Sequence, residues 1–357
     1  MKKILVSTFC VWNSYGSILQ SLGLQKALCK LNVDAALIKN EHPPKDYKTD
    51  TKDLPKPKNI LKKILQFLTH QKNVKTYKKN CEFIKENVKI EYFGNELEKN
   101  PDLAVADLFI AGSDQIWNPG WVNPFFFLDF VKNNAKRISY AASMGNLEIP
   151  QDKQGEFARL IKNFDSISVR EKDMVDVISE YTDKNISVNI DPTFLLSAEE
   201  WREYQKEYPI KKPYILVFPL YWDVKLNKKL KELSKKTGLK VVAICMGLSK
   251  IFAHKKLYDV DPGEFLWLID NAEYVVTSSF HGTAFSTIFN KQFATVVNPN
   301  APSRIGCLAE TLNIPLVSID DLCDSKFKIK YEDINQNILK ERENSINYLT
   351  RELNVEK

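Results

Sequence analysis

Long apolar runs are missing from this sequence, and so are close groups of cysteine and histidine. No stretch approaches the roughly 18 unbroken apolar residues of a membrane-spanning helix, which argues against an integral membrane protein. The six cysteines, at positions 10, 29, 81, 245, 307 and 323, lie far apart, and the whole chain has only four histidines. No CxxC pair and no Cys/His cluster at metal spacing is present. This pattern is typical of reduced, mostly buried thiols in a cytoplasmic protein, and we expect no bound metal.

The sequence also has none of the short motifs that mark common cofactor sites and nucleophiles. GxGxxG, the P-loop, HExxH, GxSxG and the kinase signatures are all missing. The turn after the first apolar run, residues 12–17, reads WNSYGS and therefore lacks the dinucleotide fingerprint. We expect no resident cofactor.

The first residues resemble a signal peptide only faintly. A basic start at 1–3 precedes an apolar run, but Ser7 and Thr8 interrupt the run and no small-residue cleavage site follows. A first buried strand fits the pattern better, and we expect a cytoplasmic protein.

What the sequence does contain is the composition of a soluble globular protein. Its 357 residues are 44% hydrophobic and 27% charged, and the length is enough for two domains. The net charge of +6 is uneven, because residues 41–100 hold 14 lysines and no arginine against nine acidic residues, a local balance of +5. The rest of the chain carries only about +1, and no RNP or helix-turn-helix pattern accompanies the lysines. We therefore expect no nucleic-acid partner.

Short apolar runs alternate with helical periods along most of the chain. Strand-like runs at 3–7, 33–38, 214–219 and 274–278 are separated by segments of helical length. This alternation predicts βαβ units with parallel sheets, and hence an α/β fold of two doubly wound Rossmann-like domains facing a cleft. We predict an N-terminal domain over 1–195, a C-terminal domain over 196–330 and a charged helix over 331–357.

Residues 41–100 interrupt this alternation, and we interpret them as a Lys-rich helical insertion after the second strand. Prolines at 43, 44, 55 and 57 indicate a loop. The stretch 60–90 has an amphipathic helical pattern whose apolar members are Ile60, Ile64, Leu65, Phe67 and Leu68. A solvated helical face explains the lysines. The alternative is an interfacial helix that holds the protein peripherally against the anionic inner membrane.

The segment 278–283, SSFHGT, is the first candidate site, because it follows a predicted strand and opens a helix. Ligands of open α/β sheets bind beyond the carboxyl ends of the strands, where helix N-termini favour anions. The hydroxyls of Ser278, Ser279 and Thr283 add donors, and Gly282 allows close backbone approach. His281 is able to transfer a proton near neutral pH. The alternative is a histidine that only caps or packs the helix.

Residues 112–119, GSDQIWNP, form a second polar turn after a predicted strand. Amide, carboxylate and indole groups together are typical of a sugar site, where polar groups bind hydroxyls and the ring supports the sugar face. Ser113, Gln115 and Trp117 are therefore candidate sugar ligands, and Asp114 is a candidate for proton transfer. An Asx turn with a core tryptophan explains the same residues equally well.

Two arginines are candidate anion ligands. Arg170 follows the predicted strand 166–169, where a guanidinium is suited to bidentate binding of a carboxylate or phosphate. The alternative is a salt bridge between the domains with Glu171 or Asp173. Arg304 begins a predicted helix over 303–312, a position at which arginines are often only solvated.

Together these motifs resemble those of the polysaccharide pyruvyl transferases. The similarity runs from the strand-turn-helix at 4–31 through GSDQIWNP (112–119), SYAASMG (139–145), SVRE (168–171), DPTFLL (191–196) and SSFHGT (278–283). It covers nearly the whole chain except 41–100 and the last helix. The resemblance implies an architecture similar to GT-B glycosyltransferases. It also implies transfer of a pyruvyl group from phosphoenolpyruvate to two hydroxyls of a sugar, which gives a cyclic ketal and phosphate.

The resemblance assigns roles to single residues. The catalytic histidine of the family falls on His281, and an arginine that helps to hold the donor falls on Arg170. The arginine usual in the family two residues before that histidine is Ser279 here, so either Arg304 or a lysine replaces it, or this chain uses a different donor or acceptor. We expect Asp114 to assist proton transfer. The expected donor-binding group is Arg170, Ser278, Ser279, Gly282, Thr283 and Arg304, and the expected acceptor-binding group is Asn13, Tyr15, Gly16, Ser113, Gln115 and Trp117.

The implied acceptor is a sugar of a surface polysaccharide or of its lipid-linked precursor, with phosphoenolpyruvate as co-substrate. Two other functions stay open on the sequence. One is a GT-B-type glycosyltransferase that uses a nucleotide sugar. The other is a non-catalytic sugar-binding relative, which the change to Ser279 favours.

Overall fold

Two five-stranded sheets, in which every pairing is parallel, form the framework of the protein. The computed structural model describes residues 1–11, 13–39, 60–93, 97, 103, 106–220, 224–245, 249–296, 303–322 and 324–355, with the backbone alone at 60–73, 303 and 325. The strands at 4–7 and 214–218 are buried along their length, which is why they appear in the sequence as continuous apolar runs. The predicted α/β class with parallel, doubly wound sheets is confirmed.

The first sheet contains the strands of the N-terminal half in the order β3-β2-β1-β4-β5, and a short parallel pair, β6 and β7, extends its edge through single bridges. Helices α1 to α4 connect these strands. The strands are β1 Lys3–Ser7, β2 Asp34–Lys39, β3 Ile90–Tyr92, β4 Leu108–Ala111, β5 Lys136–Ser139, β6 Ile167–Val169 and β7 Ile186–Val188, and the helices are α1 Tyr15–Lys30, α2 Ile60–Asn87, α3 Gln151–Ile161 and α4 Met174–Ser179.

The second sheet has the order β10-β9-β8-β11-β12. The helix before β11, α7, begins at a cap that the sequence provides: Asp261 is its N-cap and forms a reciprocal capping box with Glu264. The strands are β8 Tyr214–Phe218, β9 Lys240–Ile244, β10 Lys255–Leu257, β11 Tyr274–Thr277 and β12 Gln292–Thr295, and the helices are α5 Ala198–Arg202, α6 Val224–Thr237, α7 Pro262–Asp270, α8 Phe280–Ile288, α9 Ser303–Leu312 and α10 Glu332–Leu353.

The interpretation of 41–100 as an insertion is wrong for the part of that segment that the structure describes. β3 pairs in parallel with β2, with Leu37 opposite Ile90, so α2 is the crossover helix between two neighbouring strands of the sheet. The sequence did not reveal this because a three-residue strand is too short to produce a recognisable pattern. The five apolar residues of the proposed interfacial face, between 60 and 68, lie outside the side chains that the structure describes.

The strand order of each sheet places the two candidate turns near each other. In the first sheet the order reverses between β1 and β4, and in the second between β8 and β11. A reversal of this kind leaves a crevice at the carboxyl ends of the strands, where ligands of doubly wound folds bind. Asp114 lies in the turn after β4, and Gly16 and His281 lie in the first turns of α1 and α8, which follow β1 and β11. The topology therefore brings these three segments to one cleft.

Aromatic packing joins the two halves beside this cleft. Tyr15, at the start of α1, stacks on Phe265 of α7 with ring centroids 5.0 Å apart, and its hydroxyl donates to the carbonyl of Val260 at 3.0 Å. The chain crosses to the second sheet between 196 and 213 and returns between 325 and 331, after which α10 packs on the first half. There the hydroxyl of Tyr348 donates to the carbonyl of Ser139 at 2.9 Å.

Two lysines of α2 also join the halves, by ion pairs to the segment that leads into α7. Lys79 Nζ lies 2.9 and 2.8 Å from the two carboxylate oxygens of Glu264, whose side chain is only 7% exposed. Lys75 Nζ lies 2.5 Å from Asp259 Oδ2, but the Lys75 side chain is 63% exposed. Solvent screens the second pair far more than the first, so the first contributes more to stability.

We expect Lys79→Met to lower the free energy of unfolding by about 1–3 kcal/mol, because it leaves the buried carboxylate of Glu264 without its cation. Lys75→Met is the matched control on the same helix and should change the stability by less than about 0.5 kcal/mol. Urea denaturation of both variants measures the difference. Equal losses in the two variants would contradict this assignment.

Candidate active site

The turn from β11 into α8 positions His281 by capping and close packing. The hydroxyl oxygen of Ser279, the N-cap of α8, accepts from the backbone N–H of Gly282 at 3.3 Å. A Cβ atom on Gly282 would collide with the hydroxyl of Thr277 at the end of β11, so only glycine allows helix and strand to approach this closely. The helix therefore starts directly at the sheet and holds His281 at the cleft.

The imidazole of His281 lies between the two halves and is only 8% exposed. On one side it abuts Gly16 in the first turn of α1, where a Cβ atom would collide with Nδ1. On the other side Nε2 lies 3.8 Å from Oδ2 of Asp191. Nε2 is buried and has no hydrogen-bond partner among the described residues. A buried nitrogen in this state is available to a bound ligand.

Asp191 follows β7 and is held by four donors. Its Oδ1 accepts from the backbone N–H of Thr193 at 3.0 Å and from the Thr193 hydroxyl at 2.8 Å. Its Oδ2 accepts from Nη1 of Arg170 at 2.7 Å and from the hydroxyl of Ser113 at 3.4 Å. Burial opposes ionisation, but the neighbouring His281 and Arg170 and the bond from the Thr193 backbone N–H outweigh it and lower the pKa of Asp191. The carboxylate is therefore charged and fixed in position.

Arg170 is buried and bound mainly to carboxylates. Its Nε lies 2.9 Å from Oε1 of Glu171 and its Nη1 lies 2.7 Å from Oδ2 of Asp191, while the guanidinium stacks 4.2 Å over the ring of Phe280. The salt bridge with Glu171 was the alternative to anion binding, although it lies within one half rather than between the halves. Asp173 instead lies beside the thiol of Cys307. Nη2 of Arg170 has no partner among the described residues and remains for a ligand.

Arg304 lines a narrow pocket beside His281, together with Arg170, Phe280 and the carboxylates of Asp191, Glu171 and Glu341. With the amide oxygen of Gln115 assigned toward it, the guanidinium donates to that oxygen at 2.8 and 2.9 Å. Within the described part of the chain it forms no ion pair with a carboxylate. Burial lowers the pKa of Arg304, and the nearby charge of Arg170 acts in the same direction. An anionic ligand would relieve both effects.

The charges around His281 oppose each other. Burial lowers its pKa below the usual value, the carboxylates of Asp191 and Asp114 counteract burial, and the cations Arg170 and Arg304 reinforce it. Because the pKa of His281 is lowered overall, the imidazole is neutral at neutral pH and able to accept a proton. In the described part of the chain, no three His, Cys, Asp or Glu side chains come together as metal ligands would.

The structure corrects two of the expected sugar ligands. Trp117 is fully buried, donates from Nε1 to the carbonyl of Phe126 at 3.2 Å and stacks on Phe127, so its ring belongs to the core. Tyr15 is buried in the packing between the halves and is not open to a sugar either. Large aromatic rings pack in hydrophobic cores and also stack under sugars. Residue type alone therefore does not distinguish a core ring from a sugar-binding ring.

The other polar residues of the predicted groups differ in their availability. The hydroxyl of Thr283 is buried and donates to the carbonyl of Ser279 at 3.1 Å, so it serves the helix rather than a ligand. Ser113 is buried against Asp191. Ser278 is half-buried and accepts from the backbone N–H of Leu220 at 2.8 Å, and Asn13 is exposed.

Sequence reasoning missed Asp191 as a member of the site. Its signal was present in the segment 191–196, where a carboxylate followed by a proline stands after a predicted strand, but that segment was used only for the resemblance. Nothing in the sequence pairs a residue at 191 with one at 170 or 281. Those contacts arise from the packing of β6 beside β7 and from the meeting of the two halves.

Comparison with known proteins gives a family and a fold. The family model described as polysaccharide pyruvyl transferase matches residues 15–300. No curated protein matches the chain in a sequence comparison. Solved structures match over nearly the whole length: S. aureus MnaA with UDP (TM-score 0.55, 13% identity, 99% of this chain and 97% of that chain) and Neisseria meningitidis UDP-GlcNAc 2-epimerase bound to UDP-GlcNAc (TM-score 0.56, 13% identity, 99% of each chain). At this identity the likeness shows a shared GT-B-like fold alone.

Gly16→Ala tests the contact between α1 and His281. We expect the added methyl group to push the imidazole out of its place and to lower the free energy of unfolding by about 1–3 kcal/mol. The control is Gly155→Ala in α3, where nothing lies within 4 Å of the new Cβ atom and helix propensity should raise the stability by up to about 1 kcal/mol. Thermal unfolding of both variants checks the signs. A stabilised Gly16→Ala protein would show that the imidazole does not abut α1.

Proposed function

Because the chain belongs to the polysaccharide pyruvyl transferase family, we propose that it transfers a pyruvyl group from phosphoenolpyruvate to two hydroxyls of a sugar, forming a cyclic ketal and releasing phosphate. One observation carries the proposal: a buried imidazole nitrogen without a hydrogen-bond partner lies near an arginine that forms no ion pair with any described carboxylate. A proton carrier and an anion ligand are the two groups that this reaction needs most.

The donor requires cations for its phosphate and its carboxylate. Arg304 supplies a whole charge, because its partner Gln115 is neutral. Arg170 supplies its remaining Nη2 at lower net charge, since Glu171 and Asp191 already offset its cation. We propose that Arg304 takes the place of the arginine that is replaced by Ser279 in this chain. A buried guanidinium is well suited to an anion because its planar fork binds two oxygens at once.

The chemistry is the addition of one hydroxyl followed by a displacement. The first sugar hydroxyl adds across the C2–C3 double bond of phosphoenolpyruvate: its oxygen bonds to C2, and its proton passes through His281 Nε2 to C3, which becomes a methyl group. The second hydroxyl then bonds to C2 as the bond from C2 to the phosphate oxygen breaks. We assign the proton of the second hydroxyl to Asp114. His281 begins and ends neutral, which agrees with the lowered pKa of its imidazole.

We propose that the acceptor is a sugar of a surface polysaccharide or of its lipid-linked precursor, bound near Asn13, Ser278 and Gln115. Asn13 is exposed and Ser278 and Gln115 are half-buried, and the Gln115 amide already accepts from Arg304, so it would meet a sugar beside that arginine. We propose a cytoplasmic location, peripheral to the membrane where a lipid-linked acceptor would lie, and no resident cofactor. No helix among the described residues combines the length and the apolar character that crossing a membrane requires.

The reaction itself is testable with purified protein, phosphoenolpyruvate and a panel of glycans and lipid-linked oligosaccharides. We expect phosphate release together with a gain in acceptor mass of pyruvate minus water. His281→Ala should retain acceptor binding and lose turnover by a factor on the order of 10²–10⁴. Consumption of a nucleotide sugar instead would favour the glycosyltransferase alternative, and acceptor binding with no turnover of any donor would favour a non-catalytic sugar-binding protein.

Arg304→Met tests the donor site. We expect the KM for phosphoenolpyruvate to rise at least about tenfold, because a charge-assisted contact to the anion is lost, while the KM for the acceptor changes little. Arg202→Met is a matched control: that arginine pairs with Asp270, is 45% exposed and lies outside the cleft. Steady-state kinetics separate the two constants. A rise in the KM for the acceptor alone would move Arg304 to the acceptor site.

A further inference from the structure

The carboxylate of Asp191 is more firmly fixed than any other group that faces His281. Both of its oxygens are occupied, Oδ1 by two bonds from Thr193 and Oδ2 by bonds from Arg170 and Ser113. The residue is almost completely buried. A carboxylate with this many donors keeps its charge and its position while a ligand enters and leaves.

The distance between Asp191 and His281 decides what kind of interaction joins them. At 3.8 Å from Oδ2, Nε2 is beyond hydrogen-bond length, so the neutral imidazole is not bonded to the carboxylate. Opposite charges still attract over this distance in a buried setting. The attraction therefore acts on the protonated imidazole and is nearly absent for the neutral one.

The other side of the imidazole leaves it no room to move away. Gly16 lies against Nδ1, and the ring of Phe280 meets the imidazole edge-on with centroids 5.1 Å apart. The ring is therefore held with Nε2 toward Asp191 and the cleft.

From this geometry we infer that Asp191 is a positioning residue that acts through His281: it stabilises the imidazolium formed when the sugar hydroxyl gives up its proton. The inference rests on the proposed function. In that step the O–H bond of the hydroxyl breaks, an N–H bond forms at Nε2, and the positive charge appears beside a fixed carboxylate. Asp191 gains no proton in this step.

The other charges around His281 explain why the stabilisation has to be moderate. Asp114 adds to the attraction, whereas Arg170 and Arg304 oppose it, and burial also disfavours the charged imidazole. Arg170 is also paired with Oδ2 of Asp191, so the attraction of that carboxylate for the protonated His281 is weaker. A proton that has to continue to C3 is passed on most readily when it is bound neither too weakly nor too tightly.

Asp191→Asn removes the charge and nearly preserves the shape of the side chain. NMR of histidine-labelled protein then measures the pKa of His281 without any substrate. We expect the pKa of His281 to fall by about one unit, a tenfold change in proton affinity. The acidic limb of kcat/KM should move to lower pH by the same amount, and the rate at neutral pH should drop by up to about tenfold. Loss of a purely structural contact would not move the titration.

Glu171→Gln is the matched control, because Glu171 is also buried and bound to Arg170 but does not face His281 directly. Its effect on the pKa of His281 should be distinctly smaller. If Asp191→Asn does not fold, Arg170→Gln gives the opposite sign: it removes a cation that repels the imidazolium and leaves the charge of Asp191 unshared, so the pKa of His281 should rise.

The outcomes separate this inference from the proposed function. Turnover of phosphoenolpyruvate by the unaltered protein, with an unchanged or raised pKa of His281 in folded Asp191→Asn, overturns the inference alone. An unchanged pKa in Arg170→Gln does the same. A shifted pKa without turnover of phosphoenolpyruvate by the unaltered protein overturns the proposed function and supports the coupling between Asp191 and His281.

Discussion

The buried carboxylate of Asp191 is the group on which the rest of the site depends. It receives Arg170 and Ser113 from the first half of the chain and faces His281 from the second. A charge at this depth is tolerated only when donors surround it, and the turn at Thr193 and the guanidinium of Arg170 provide them. The same carboxylate thereby fixes the arginine beside the cleft and determines the field in which the histidine titrates. One buried charge thus links the two sheets chemically as well as sterically.

The two arginines of the site do not contribute equally to its positive charge. Arg170 is offset by two carboxylates, so most of the available positive charge comes from Arg304, whose described contact is to a neutral amide. A site that bound anions tightly through several free cations would also release them slowly. Partial neutralisation of Arg170 allows it to shape the pocket and to stack on Phe280 without adding a second full charge.

The sequence predicted those candidate site residues whose position follows from the sheet topology alone. The turns with His281 and Asp114 were predicted as sites because they follow strands, and doubly wound sheets bring such turns to one edge. Trp117 and Tyr15 were misassigned because burial depends on what packs against a ring, and that partner is distant in sequence. Asp191 was not recognised for the same reason: an aspartate before a proline indicates a turn, but its partners come from three separate segments. β3 was missed because three residues give no periodicity.

The chain crosses between the two sheets twice, once after the turn at 192–195 and once before α10. Any relative rotation of the halves is therefore a hinge motion about these two crossings. Such a rotation would withdraw His281 from Gly16 and from Asp191 in the same movement, since the imidazole comes from one half and both of its neighbours from the other. An open molecule would thus lack the assembled site, and a ligand that entered it would meet His281 in its buried setting only when the halves closed.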